Sequence, residues 1–195
     1  MVKNSNLGDE LVPCLNRFKS VSHLAIGGQA LTEDGFKAID LPRLTYLDVD
    51  ECKGFNDAAL EAMIEKYPSL LSLSIAATSV TTNGIDQIAR LKRLWSLRLS
   101  SLEISQENVR LLSGLPVSKL DLTGCRMKPE ALLELRRMRS LRYLNLYTNS
   151  GADEQNVAAI WEEFPPGRLE IVNSLGRKGK NFDDLKNFSK FLGPE

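Results

Sequence analysis

The chain has 195 residues, 43% of them hydrophobic, and its 25 basic side chains are balanced by 25 acidic ones. A chain of this size buries one continuous core, and the balance excludes the uniform field that draws proteins onto nucleic acid or anionic membranes. No apolar run approaches the roughly 20 residues that span a bilayer. The polar stretch from Asn4 to Glu10 lacks the charged-then-apolar order of a secretory signal, so a cytoplasmic protein is expected, or a nuclear one in a eukaryote.

In chain order, residues 9–19 place Val12, Leu15 and Phe18 on one face of a helix, read as an N-terminal cap within 1–20. Next comes a pattern of an apolar residue, two of any kind, Leu, any residue, then Leu or Ile. Its central Leu falls at Leu24, Leu47, Leu73, Leu97, Leu120, Leu144 and Leu169, at spacings of 23, 26, 24, 23, 24 and 25. A fixed period of this length marks a solenoid, in which each unit buries its core against its neighbours. The repeats are assigned to 21–174.

A second signature follows each strand pattern. An apolar residue precedes a polar one, as in Leu31-Thr32, Phe55-Asn56, Val80-Thr81, Ile104-Ser105, Met127-Lys128 and Ala152-Asp153. Thr, Asn and Ser suit a helix N-cap, because their oxygens accept bonds from the otherwise unpaired first-turn N–H groups. Apolar pairs three residues apart then mark the inward face of a short helix: Phe36/Ile39, Leu60/Met63, Ile85/Ile88, Val109/Leu112, Leu132/Leu135 and Val157/Ile160. Each unit therefore reads as strand, turn, helix, turn. At the C-terminal side the basic run Arg177-Lys178-Gly179-Lys180 reads as a solvated loop. Phe182, Leu185 and Phe188 repeat the helical offset, with Asn181 as cap, so 175–195 is expected to be a loop and closing helix. The expectation is one domain over 1–195, with seven parallel strands and eight helices.

Three residues past the last strand leucine stand Gln29, Cys52, Thr78, Leu102, Cys125, Asn149 and Ser174. At this place leucine-rich repeats carry Asn or Cys, stacked into a ladder inside the turn. The chain resembles the leucine-rich repeat family over nearly its whole length, and its unit length and helix starts are similar to the cysteine-containing, ribonuclease-inhibitor-like branch. Similar repeats occur in F-box leucine-rich proteins and bacterial cytosolic repeat proteins. The resemblance implies an α/β horseshoe with parallel strands on the concave face and helices on the convex face. It also implies protein–protein recognition without catalysis or cofactor, as an adaptor or an inhibitor or immunity-type binder. The alternative is a recognition subunit of a larger complex such as a ubiquitin ligase, although only about twenty residues precede the first strand.

Few residues suggest chemistry. Cys52 and Cys125 lie three strands apart, about 14 Å at the usual strand spacing, too far for a disulfide, so they and Cys14 are expected to be reduced thiols. His23 is the one histidine, and Asp48, Asp50 and Glu51 form an acidic group. A metal-dependent binder or enzyme built on these four residues is the less favoured reading, since the sequence lacks a ligand-rich loop, zinc spacing or serine elbow.

The strand face carries more. Alternation turns the residues on either side of each central Leu outward. The candidate partner-binding set is Tyr46, Asp48, Asp50, Ser72, Ser74, Arg98, Lys119, Asp121, Tyr143, Asn145 and Tyr147. Tyrosine and arginine dominate interface hot spots, and the small Ser72, Ser74 and Ala76 are expected to leave room for an inserted side chain. The expected partner is a protein, with no nucleic acid and no membrane, and the chain is expected to be a monomer in isolation.

Overall fold

The computed structural model describes residues 7–149, 152–165, 168–173 and 176–178. A short 3-10 turn at Asp9–Leu11 leads into α1 (Val12–Leu15), and β1 (His23–Ala25) opens the sheet. Then follow α2 (Glu33–Ala38), β2 (Tyr46–Asp48), α3 (Asp57–Lys66), β3 (Ser72–Ser74), α4 (Thr82–Gln87) and β4 (Ser96–Arg98). The chain continues through β5 (Glu103–Ile104), α5 (Gln106–Leu112), β6 (Lys119–Asp121), β7 (Arg126–Met127) and α6 (Pro129–Glu134). It closes with β8 (Tyr143–Asn145), α7 (Glu154–Trp161), β9 (Glu170–Asn173) and β10 (Gly176–Lys178).

The main sheet runs β1-β2-β3-β4-β6-β8-β9-β10, with every neighbouring pair parallel except β9–β10. The helix signatures sit where the sequence puts them. Thr32, Asn56, Thr81, Ser105 and Asp153 each accept a first-turn N–H, Ser105 within a reciprocal box with Asn108. Pro129 begins α6 without a side-chain cap, its fixed φ being suited to the first helical position. All six i, i+3 pairs are buried, and Phe36 meets Phe55 edge to face across adjacent units at 4.9 Å.

Inside the turns, Gln29, Cys52, Thr78, Leu102, Cys125 and Asn149 are all buried. The Cys52 thiol donates to the Ile26 carbonyl at 3.3 Å, the Cys125 thiol to Leu99 at 3.1 Å, and Asn149 Nδ2 to Leu122 at 2.7 Å. Each bond reaches back one unit, so the ladder ties successive coils where backbone carbonyls would otherwise lack partners. Thr78 turns instead to its own Ile75 carbonyl. Burial pushes the Cys52 thiol up and carries that of Cys125 to about 12, and the cysteines are free, with Cys14 exposed.

The structure corrects four expectations. Helix α1 stops at Leu15, so Phe18 falls beyond it and is 55% exposed instead of joining the core. Two extra short strands, β5 and β7, pair in parallel as a second sheet ahead of α5 and α6. Leu144 pairs with Ile171, not Leu169, so the seventh strand is shifted by two residues. A two-residue shift keeps every side chain on its own face, which is why apolar spacing could not exclude it. Leu169 is buried just before β9, its carbonyl accepting from Trp161 Nε1 at 3.2 Å. Finally, Arg177 and Lys178 belong to β10, antiparallel to β9, instead of a loop. The expected closing helix with Asn181, Phe182, Leu185 and Phe188, and the ladder position Ser174, lie outside the described residues.

One regularity has no sequence signature. The residues that turn the chain out of the strand, Gly28, Glu51, Ala77, Ser101, Gly124 and Thr148, all have φ between 54° and 72°. Only two are glycine, so four side chains are held in the left-handed region at a cost of roughly 1–2 kcal/mol each. The N–H groups of Gly28, Glu51, Ala77, Ser101 and Gly124 extend the ladder beyond the strands, for example Glu51 N–H to the Ala76 carbonyl at 2.7 Å.

Candidate binding face

The parallel register stacks outward side chains into two rows. The row at the strand starts is His23, Tyr46, Ser72, Ser96, Lys119, Tyr143 and Glu170, and the second is Ala25, Asp48, Ser74, Arg98, Asp121, Asn145 and Val172. The register shift replaces the expected Arg168 by Glu170, and Arg168 instead donates to the Arg139 carbonyl at 2.9 Å.

The second row does much structural work. Asp48, Asp121 and Asn145 each accept the N–H two residues ahead, at 3.1, 2.9 and 3.0 Å. This is the local turn that short acidic and amide side chains favour. Ser74 cannot reach its equivalent, the N–H of buried Ala76. Asp50 of the preceding unit supplies the acceptor at 2.7 Å, and the same oxygen takes the Ser74 hydroxyl at 2.6 Å.

Arg98 completes this half of the face. Its guanidinium reaches back across β3 to Asp50 at 2.8 Å, while its Nε lies 3.4 Å from Ser100 Oγ and 3.6 Å from Asp121. Asp121 also takes the hydroxyls of Ser100 at 3.1 Å and Thr123 at 2.7 Å. The space expected above Ser74 and Ala76 is therefore crossed by Arg98. Sequence reading missed this brace because its partners are 48 residues apart.

The first row is shaped differently. His23 stacks on Tyr46 with ring centroids 3.9 Å apart and planes 10° from parallel, and its Nδ1 lies 2.8 Å from Ser22 Oγ. Ser72 and Ser96 come next as a low floor, followed by half-buried Lys119 and Tyr143. Burial lowers the Lys119 pKa, against the pull of Asp121. Tyr46 and Lys119 stand three strands apart, ~14 Å at the usual spacing, which accommodates an extended segment or a single large side chain. Tyr147, 50% exposed, stands at the far end beyond β8.

Asp48, Asp50 and Glu51 do not assemble as a ligand set, since Asp50 faces Ser74 and Arg98 while Glu51 occupies the left-handed turn. Among the described residues, no three His, Cys, Asp or Glu side chains are grouped to hold a metal. No helix among them is long and apolar enough to cross a membrane.

No family model matches the chain. It is 27% identical over 146 residues to the antagonist of mitotic exit network protein 1 of Eremothecium gossypii, a match covering 68% of this chain and 37% of that protein. It is 26% identical over 195 residues to a putative adenylate cyclase regulatory protein of Trypanosoma equiperdum, covering 98% of this chain and 29% of that one. The chain thus spans about a third of the length of the curated relatives it matches. Among solved structures, an internalin of Listeria monocytogenes superposes with a TM-score of 0.56 at 15% identity, covering 86% of this chain and 51% of the other. Internalin C2 of the same organism gives 0.56 at 20% identity, covering 89% and 70%. Internalins are leucine-rich repeat proteins.

Proposed function

Because this chain has the leucine-rich repeat fold, we propose that it is a non-catalytic recognition module that binds a protein through its strand face, as an adaptor or an inhibitor. The observation that carries this reading is the first row. Two serines form a floor between the His23–Tyr46 stack and the Lys119–Tyr143 pair, on strands held in register by the backbone ladder. A rigid site of this kind loses little conformational entropy on binding, and its rims carry the tyrosines that serve as interface anchors. The curated relatives support the reading, since their names describe an antagonist and a regulatory protein. The second row supports it differently, because its Arg98 and Asp121, together with Asp50, hold one another and stiffen the floor's border.

A photo-crosslinking residue at Ser72 or Ser96, tested in native lysate of the source organism, is expected to capture a protein. The same residue at helix-face Lys37 or Arg110 is expected to capture none. Adducts from the helix face alone would overturn the assignment of the face. Once a partner is in hand, Ser96→Trp should fill the floor and weaken binding at least tenfold while leaving the melting temperature unchanged.

A further inference from the structure

We propose that the edge where helices end and strands begin docks an acidic segment of the protein partner, through arginines that the fold leaves without partners. The neutral sequence hides this edge. Connections running from helices into strands carry eleven basic and three acidic residues, whereas those from strands into helices carry three basic and four acidic ones. The helix first turns add further acids to the latter edge.

The pairing pattern separates the two edges more sharply than the counts. Arg90, Arg98, Arg110, Arg126, Arg137 and Arg139 each lie within 4.0 Å of a carboxylate. Among the described residues, Arg17, Arg43, Arg93, Arg136 and Arg142 are exposed and have no side-chain partner. All five lie on the helix-to-strand side: Arg17 after α1, Arg43 before β2, Arg93 before β4, Arg136 in the last turn after α6, and Arg142 before β8. Several acids at the opposite edge are already engaged, whereas exposed Asp34, Glu51 and Glu130 have no ion pair or side-chain hydrogen bond among the described residues. Asp9 and Asp57 hold the N-cap threonines Thr32 and Thr81 at 2.6 Å, and Asp153 caps α7. A second copy of this chain would thus offer the free acids Asp34, Glu51 and Glu130 to five free arginines, which leaves the arginine edge an unmatched excess.

Three features favour a polypeptide over a polyanion such as nucleic acid. The guanidinium groups are interrupted by the uncharged connections 67–71 and 113–118 instead of forming a continuous track. Apolar side chains stand among them: exposed Phe18, and half-buried Leu71 and Trp95 immediately before Ser72 and Ser96. The chain's zero net charge also gives no long-range field of the kind that dominates phosphate-backbone binding. Guanidinium forks match carboxylates bidentately, and the neighbouring rings suit apolar residues between the acids. The inference rests on the proposed reading in one respect, that the partner is a protein; its location on the edge stands on the arginines alone.

The test uses the full chain and a fluorescein-labelled peptide of repeating Glu-Glu-Phe, followed by fluorescence anisotropy. The peptide should bind, weaken as salt rises from about 50 to 300 mM, and lose at least tenfold in affinity to the double variant Arg93→Glu/Arg142→Glu. Lys128→Glu, an exposed residue on the opposite edge, should bind as the native chain does. Thermal melts of the variants should match the native protein, because the altered side chains are exposed. Absence of binding, or binding unaffected by the double variant, would overturn the proposal. Tighter binding of a single-stranded oligonucleotide of equal charge, or of phosphatidylserine vesicles, would overturn the choice of polypeptide. Loss of peptide binding with the arginine variant but not with Ser96→Trp would uphold the edge and leave the strand face to the crosslinking test. The reverse result would uphold the face and sink the edge.

Discussion

Replacing Asp50 by alanine should destabilise the protein far more than replacing Arg98, although the two side chains form one ion pair. Asp50 is only 16% exposed at its side chain, whereas Arg98 is 47% exposed. A half-exposed pair contributes about 0.2–1 kcal/mol after solvent screening. The same carboxylate also accepts the buried Ala76 N–H at 2.7 Å and the Ser74 hydroxyl at 2.6 Å. A hydrogen bond to a charged acceptor contributes about 1.5–3 kcal/mol, and an orphaned buried N–H carries its full desolvation cost. Asp50→Ala should therefore lose ~2–4 kcal/mol, and Arg98→Ala no more than ~1 kcal/mol. At about 2–4 °C per kcal/mol for a domain of this size, the first should lower the melting temperature by roughly 4–16 °C and the second by no more than about 2–4 °C. Asp50→Asn keeps an acceptor for Ala76 and should fall between. Urea unfolding of both single variants and the double variant isolates the pair's own coupling, expected below ~1 kcal/mol. If Asp50→Ala is no worse than Arg98→Ala, or the coupling equals the whole loss, the carboxylate serves the ion pair and its role in the turn is wrongly assigned.

Cys14 should label rapidly with iodoacetamide in the native state at pH 8, while Cys52 and Cys125 should react only on unfolding; quick native labelling of either buried thiol, read by mass spectrometry, would contradict the ladder. Because the Cys125 pKa is raised from 9.0 to about 12 on folding, the unfolded chain releases that proton first. The resulting loss of stability should be absent below pH 9 and grow between about pH 9 and 12, and Cys125→Ala should flatten that part of the stability curve. At the turns, Ala77→Gly relieves the left-handed strain but adds freedom to the unfolded chain, so a net gain of roughly 0.5–1 kcal/mol is expected. Gly124→Ala should lose about 1 kcal/mol, and chemical denaturation in which both variants are destabilised would show that the left-handed turns carry no strain.

What the sequence determined by itself was everything with a local or periodic cause. Caps such as Thr32 and Asn56, the inward pairs from Phe36/Ile39 to Val157/Ile160, and the buried ladder from Gln29 to Asn149 each depend on spacing within one unit. The same spacing recurs, so the stacking of strands followed from it. What escaped were relations that spacing does not encode. A two-residue slip in β9 leaves the apolar face unchanged, so Leu169 and Ile171 were equally good centres. The left-handed turns at Glu51, Ala77, Ser101 and Thr148 are imposed by the ladder on residues that do not favour that conformation. The Asp50–Arg98 brace joins side chains two units apart, brought together by the coil pitch. Net charge of zero is a sum over residues, and a sum holds no positions. Only the folded coil, which returns every helix end to one edge and every strand end to the other, decided that the unpaired arginines stand together.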